Sequence, residues 1–233
     1  MKKVGFIGVY DKTNMLLGMA KILTMKYKKP IIIDTTIEQK TKYIVPTIHP
    51  TGKYITTWED IDIAVGFKNI DEICRYAGIE QLENEYDVIL MNIDTAEEIE
   101  ELNALDNDIN YFVTAIDLYS IRKGIEIFSS INKSVSINRI IFSREMNSFE
   151  EEYINYLVQD YPINWKENLI FFPIILEDKY VEIDNQIIYR ISFKDFSQMY
   201  KDSLTHLVTK TFSNEISEAE VKKIIKALEK EGI

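Results

Sequence analysis

Short unbroken apolar runs alternate along this chain with longer stretches whose apolar residues recur every three or four positions. The short runs lie at residues 3–9, 30–34, 87–92, 111–115, 139–143 and 169–173, and each reads as a strand. The stretches IIID, DVILMN, NRIIFS and NLIFF are continuous rather than alternating, as strands covered on both faces are. The longer stretches predict helices at 13–27, 69–77, 97–105, 120–131, 148–160, 196–212 and 217–231. Gly78 and Pro162 stand as stops after two of them. Alternation in 53–66, and in 178–191 around Asp184-Asn185, predicts two hairpins. Strands interleaved with helices give an α/β fold, a mostly parallel sheet with helices on both faces.

The last predicted helix opens with Ser217 and Glu220 at capping-box spacing, carries a stripe of Val221, Ile224, Ile225 and Leu228, and meets Gly232 as its natural end. Its four lysines are balanced by four glutamates, whereas a helix lying on a membrane is usually basic. It is expected to pack on its own domain or on a protein partner. The division expected is an α/β domain at 1–212 followed by this amphipathic helix at 213–233.

Composition narrows the function. The chain has 233 residues and a net charge of −11, which argues against broad binding to nucleic acid or anionic lipid. Cys74 is the only cysteine, and His49 and His206 the only histidines, so neither a disulfide nor a Cys/His zinc site can be built within the chain. The apolar run 169–176 is too short to span a bilayer and contains Pro173, and residues 1–14 read as a first strand and turn. A cytoplasmic protein is expected. His206 reads as a packed or surface residue of a helix, and His49 as a loop residue between Pro46 and Pro50.

The first loop carries the candidate chemistry. Phe6-Ile7-Gly8-Val9-Tyr10-Asp11-Lys12-Thr13-Asn14 joins a strand to a helix that begins Lys-Thr. In a phosphate-binding loop, backbone N–H groups and the helix N-terminus face the phosphates, a lysine adds charge and a hydroxyl holds Mg²⁺. Lys12 and Thr13 stand where that motif needs them, but Asp11 replaces the glycine before the lysine and Phe6 replaces the first glycine. A dinucleotide fingerprint anchored on Gly8 would place Tyr10 at its second glycine and block the approach of a pyrophosphate. A third possibility is a plain packing role for Gly5 and Gly8 between strand and helix. Asp34, Asp94 and Asp117 all fall near the C-terminal ends of predicted strands, where such sheets place their sites. With Lys12 they could also form a receiver-like acidic cluster.

The order of these pieces resembles the ParA/MinD family of deviant-Walker P-loop ATPases, CpaE-like pilus proteins and FlhG among them. After the first loop comes IIIDTT, ending in Asp34; then DVILMNID from Asp87 to Asp94; then NDINYFVTAIDLYSIRKGIEIF; then INRIIFSRE and LIFFP. The resemblance covers about residues 1–205 and implies a P-loop NTPase-like sheet. It implies phosphate contacts at Gly8, Asp11, Lys12, Thr13 and Asn14, metal contacts at Thr13, Asp34 and Asn92 should Mg–ATP bind, and Asp34 and Asp94 as catalytic candidates. The departures from the family pattern are specific. Ile7 stands at the signature lysine, Val9 and Asp11 replace glycines, Asn92 replaces the Walker B aspartate and Thr36 replaces a second acidic residue. Losing the bridging lysine removes charge where phosphoryl transfer needs it. The expectation is a degenerate member that binds ATP and Mg²⁺ weakly or not at all. It would serve as an interaction or positioning component of a pilus, secretion, conjugation or partition apparatus, with protein partners and a possible homodimer. An active ATPase with an atypical loop is the alternative, and an NAD(P)-binding Rossmann protein a more distant one.

Overall fold

The computed structural model describes residues 1–26, 28–47, 52–131, 133–144 and 148–231, with the backbone alone at 148–150 and 231. Among them an eight-stranded sheet forms. Its strands are β1 (Lys2–Ile7), β2 (Pro30–Asp34), β3 (Tyr54–Trp58), β4 (Ile61–Val65), β5 (Val88–Ile93), β6 (Ile109–Ala115), β7 (Val135–Ser143) and β8 (Ile163–Pro173). They lie in the order β3-β4-β2-β5-β1-β6-β7-β8, all parallel except β3, which runs antiparallel to β4. The opening strand is therefore central, hydrogen-bonded to β5 on one side and β6 on the other. β5 separates β1 from β2, whereas dinucleotide-binding and receiver-type sheets place those two strands side by side. Topology thus removes the NAD(P) and receiver-like alternatives.

The predicted strands all form, and the unbroken apolar runs have the stated cause. Val88 and Leu90 of β5 face one helical layer while Ile89, Met91 and Ile93 face the other. One layer holds α1 (Thr13–Thr24), α8 (Gln198–Thr211) and α9 (Glu218–Glu231); the other holds α3 (Ile70–Ala77), α4 (Ala96–Glu101), α5 (Leu118–Glu126) and α6 (Ser148–Val158). Asn69 caps α3 by accepting the Glu72 N–H, and Gly78 ends it in the left-handed conformation. β7 and β8 begin earlier than predicted, because their first halves at the sheet margin are polar and leave no apolar run. The hairpin predicted at 53–66 is β3–β4. Its two turn residues, Glu59 and Asp60, both take positive φ, and Lys21 holds Glu59 at 2.5 Å. The first helix ends at Thr24 with Met25 as its C-cap, short of the predicted Tyr27, and the loop reading of His49 and the stop at Gly232 lie outside the described residues.

Two C-terminal elements differ from expectation or resolve it. Residues 178–191 form no hairpin; α7 (Leu176–Ile187) occupies most of the segment. Its inward positions Asp178, Glu182 and Asn185 follow a helical period but are polar. Of the apolar residues that suggested strand alternation, Tyr180, Ile183, Ile187, Ile188 and Tyr189 are exposed, while Val181 packs against the core and Ile191 is buried. α9 packs on its own domain: Val221, Ile225 and Leu228 are buried in the same core as α1 and α8. The Ser217 N–H donates to the Glu220 carboxylate, and the Glu220 N–H donates back to Ser217 Oγ. No helix of the described residues is long and apolar enough to cross a membrane.

Candidate functional site

A cleft of about 510 Å³ opens over the C-terminal ends of the central strands. The loop after β1 forms its floor, the loop after β2 one wall, and α4 and α5 the other. Parallel strands create such a crevice because their crossovers leave in opposite directions.

The floor is shaped by Gly8, whose φ is +144°; a Cβ there would meet the Val113 carbonyl oxygen at 2.1 Å. At Gly5 a Cβ would meet Asn110 Oδ1 at the same distance. Both glycines thus serve close approach to β6, the neighbouring strand. The chain then turns into α1 through Asp11, and the Asp11 carboxylate accepts the Thr13 N–H at 3.0 Å. An anion at a helix N-terminus is favoured by the unpaired N–H groups and the helix dipole. Here the anion belongs to the loop itself. Burial alone would raise the Asp11 carboxyl, but the hydrogen bonds from Thr13 and the Lys40 ammonium, 3.2 Å away, hold it below the ordinary carboxylate range.

Lys12 is 3% exposed and donates to the Gly8 carbonyl at 2.6 Å. Burial pushes its amine down to about 8, against the pull of Asp94, Asp34 and Asp11. The cation is thus folded back onto its own loop. Thr13 is buried beside it, and both line the cleft. Asn14 does not; it lines a separate small cavity with Trp58, Asn185 and Tyr200.

The two acidic candidates have different surroundings. Asp34, at the end of β2, has no exposed surface. It accepts hydrogen bonds from the Thr36 N–H and hydroxyl, the Thr41 N–H and hydroxyl, and Asn92 Nδ2. Burial raises its carboxyl despite these donors. Its oxygens are committed to tying the β2–α2 loop to β5, where α2 spans Thr41–Ile44. Asp94 faces the cleft and accepts the Ile37 N–H at 3.1 Å. Burial raises Asp94 as well. Behind it, Glu98 accepts the N–H groups of Asp94 and Thr95 in a capping box at the start of α4. Burial, with Asp94 adding to it, lifts Glu98 to about 7. Asn92 Oδ1 is buried with no hydrogen-bond partner, on a residue that lines the cleft.

Asp117 is the N-cap of α5, accepting the Ser120 N–H at 2.8 Å. His206 is exposed on α8, and Cys74 is buried and unpaired. Among the described residues no group of three or more His, Cys, Asp or Glu could hold a metal ion. As a seat for a magnesium triphosphate the site fits poorly: a carboxylate already takes the helix N–H, the lysine is folded back and the Asp34 oxygens are taken. Sequence reasoning missed Lys40, Glu98 and the α5 wall of Tyr119 and Lys123. Only Glu98 had a local signal, the Thr95-x-x-Glu98 capping spacing.

No protein-family model and no curated protein sequence matches the chain. Solved structures do. The chain is similar to MinD in the MinC:MinD cell division complex of Aquifex aeolicus, at 11% identity and a TM-score of 0.62, over 93% of this chain and 98% of that one. It is similar to a ParA-family ATPase from Chlorobium tepidum, at 13% identity and a TM-score of 0.52, over 97% and 96%. A Borrelia burgdorferi protein assigned to plasmid partition and bound to AMPPNP gives 13% identity and a TM-score of 0.51, over 92% and 99%. At such identities the likeness establishes the fold, which is that of the ParA/MinD P-loop NTPases.

Proposed function

We propose that this protein keeps the ParA/MinD scaffold as an interaction or positioning component and holds its own nucleotide seat closed. The observation that carries this is the Asp11 carboxylate on the Thr13 N–H. A phosphate would seek the same donor, and the two anions would repel each other at that separation. Lys12, the one loop cation aimed at that space, is engaged with Gly8. Asn92 in place of an acid and Ile7 in place of a lysine leave too little charge to stabilise phosphoryl transfer. The relatives in fold include a partner of MinC and a protein assigned to plasmid partition. A role in a partition, pilus, secretion or conjugation apparatus, with protein partners, rests on that analogy.

The active-ATPase reading draws on Lys12, Thr13 and Asp94 sharing one cleft, with Thr13, Asp34 or Asn92 toward Mg²⁺. Calorimetric titration with ATP–Mg²⁺ separates the two. The expected result is millimolar or absent binding and no turnover in the natural chain. Asp11→Gly should bind at least about tenfold more tightly, as expected when a competing charge leaves the seat. Micromolar binding with turnover in the natural chain, abolished by Lys12→Ala, would establish the active enzyme instead.

A further inference from the structure

α7 is an inverted helix. Its inward face carries Asp178, Glu182 and Asn185 beside Val181, which packs on the core, while Leu176, Tyr180, Ile183 and Ile187 on its outer face are 63%, 58%, 48% and 68% exposed. Their spacing of four, three and four residues is the d-a-d-a seam of a two-stranded coiled coil. Ile188 and Tyr189, each more than half exposed, continue the patch just past the helix end. We propose that this seam pairs with the same seam of a second copy of the chain, the two α7 helices running parallel about a two-fold axis, without need of nucleotide.

Charge selects that occupant. With the seam at d and a, Lys179 takes a g position and Asp184 the following e position. In a parallel pair those positions meet across the interface, so the arrangement makes two symmetry-related Lys179–Asp184 contacts. Lys179 has a half-exposed side chain and one N–H on Glu182, which leaves donors for a partner. A lipid surface is a poor occupant: the outward carboxylates Glu177 and Asp184 flank the seam against Lys179 alone, where interfacial helices carry basic flanks. The four seam residues with Ile188 and Tyr189 expose on the order of 700 Å² in all, the most each copy could bury, against the ~800 Å² per partner of a standard stable interface.

Sedimentation velocity of the full chain at micromolar concentration, without nucleotide, is the test. A dimer is expected, and Ile183→Asp should weaken it at least about tenfold, since it buries an unpaired charge in the seam. Asp184→Lys should weaken it, and adding Lys179→Asp should restore it. Leu176→Cys, made in a chain whose one native cysteine is buried, should link to its own copy under mild oxidation, because equivalent residues meet in a parallel pair. A monomer, or a dimer indifferent to Ile183→Asp, would overturn the proposal. So would cross-linking that requires Leu176→Cys together with Ile187→Cys, the antiparallel pattern. A monomer that floats with anionic vesicles would assign the face to lipid and equally overturn it. None of these readouts depends on the state of the nucleotide seat.

Discussion

At the scale of single residues, the cleft is a set of charges that answer one another inside the chain. Asp11 meets Thr13 and Lys40, Lys12 meets Gly8, and Asp34 meets Thr36, Thr41 and Asn92. Glu98 is costly to ionise. Its folded value near 7 lies above the ordinary glutamate value of 4.5, so the folded state holds its proton where the unfolded chain has lost it. Stability from this group is therefore full below about pH 4.5 and is lost as pH rises toward 7. Glu98→Gln keeps an acceptor for the Asp94 and Thr95 N–H groups and removes the charge. It is expected to be more stable than the natural chain at pH 8 and no more stable at pH 4; urea unfolding at the two pH values checks the sign. The sequence made Lys12 and Thr13 visible because a motif fixes their spacing, and Asp94 because it falls near the C-terminal end of a predicted strand. It could not reveal that Asp34 is saturated or that Lys40 reaches Asp11, since both depend on how the β2–α2 loop folds back.

At the scale of elements, helices and strands were legible where one face was apolar and the period unambiguous. The central strands and α3 are examples, as their caps and burial follow local chemistry. α7 was not legible. Hydrophobic residues mark the buried face only when the buried face is hydrophobic, and here the inward contacts are mostly polar, with Val181 alone of the helix's apolar residues packed on the core. Asp178, 3% exposed, accepts the Ser197 N–H at 2.6 Å and the Ser197 hydroxyl at 2.8 Å, locking α7 to the start of α8. Asn185 grips Ser192 from both sides, accepting its N–H and donating to its carbonyl. Asp178→Ala is expected to cost about 1–3 kcal/mol by leaving the Ser197 N–H without its acceptor. Thermal unfolding measures that loss, and Asp178→Asn, which keeps one acceptor, should recover part of it.

At the scale of the whole molecule, the sheet is a wall between two cores, and the C-terminal helix closes one of them. Val221, Ile225 and Leu228 contribute roughly 1.5–3 kcal/mol each on burial, and Lys201–Glu229 and Lys26–Glu220 pin the same helix to α8 and to the end of α1. Truncation after residue 216 is thus expected to remove most of a typical domain's margin of about 5–15 kcal/mol. Circular dichroism should show a lowered midpoint or no cooperative transition. A stable truncated chain would make the helix a true appendage.

The place of β1 also fixes a timetable. Lys2 pairs with Val88 and Val4 with Ile109, so the strand at the centre of the sheet is made long before either neighbour exists. During synthesis at the usual 5–20 residues per second, Val4, Phe6 and Ile7 wait several seconds without their partners, and the cleft they lead into cannot take shape until more than half the chain, through α5 and Ser130, has left the ribosome.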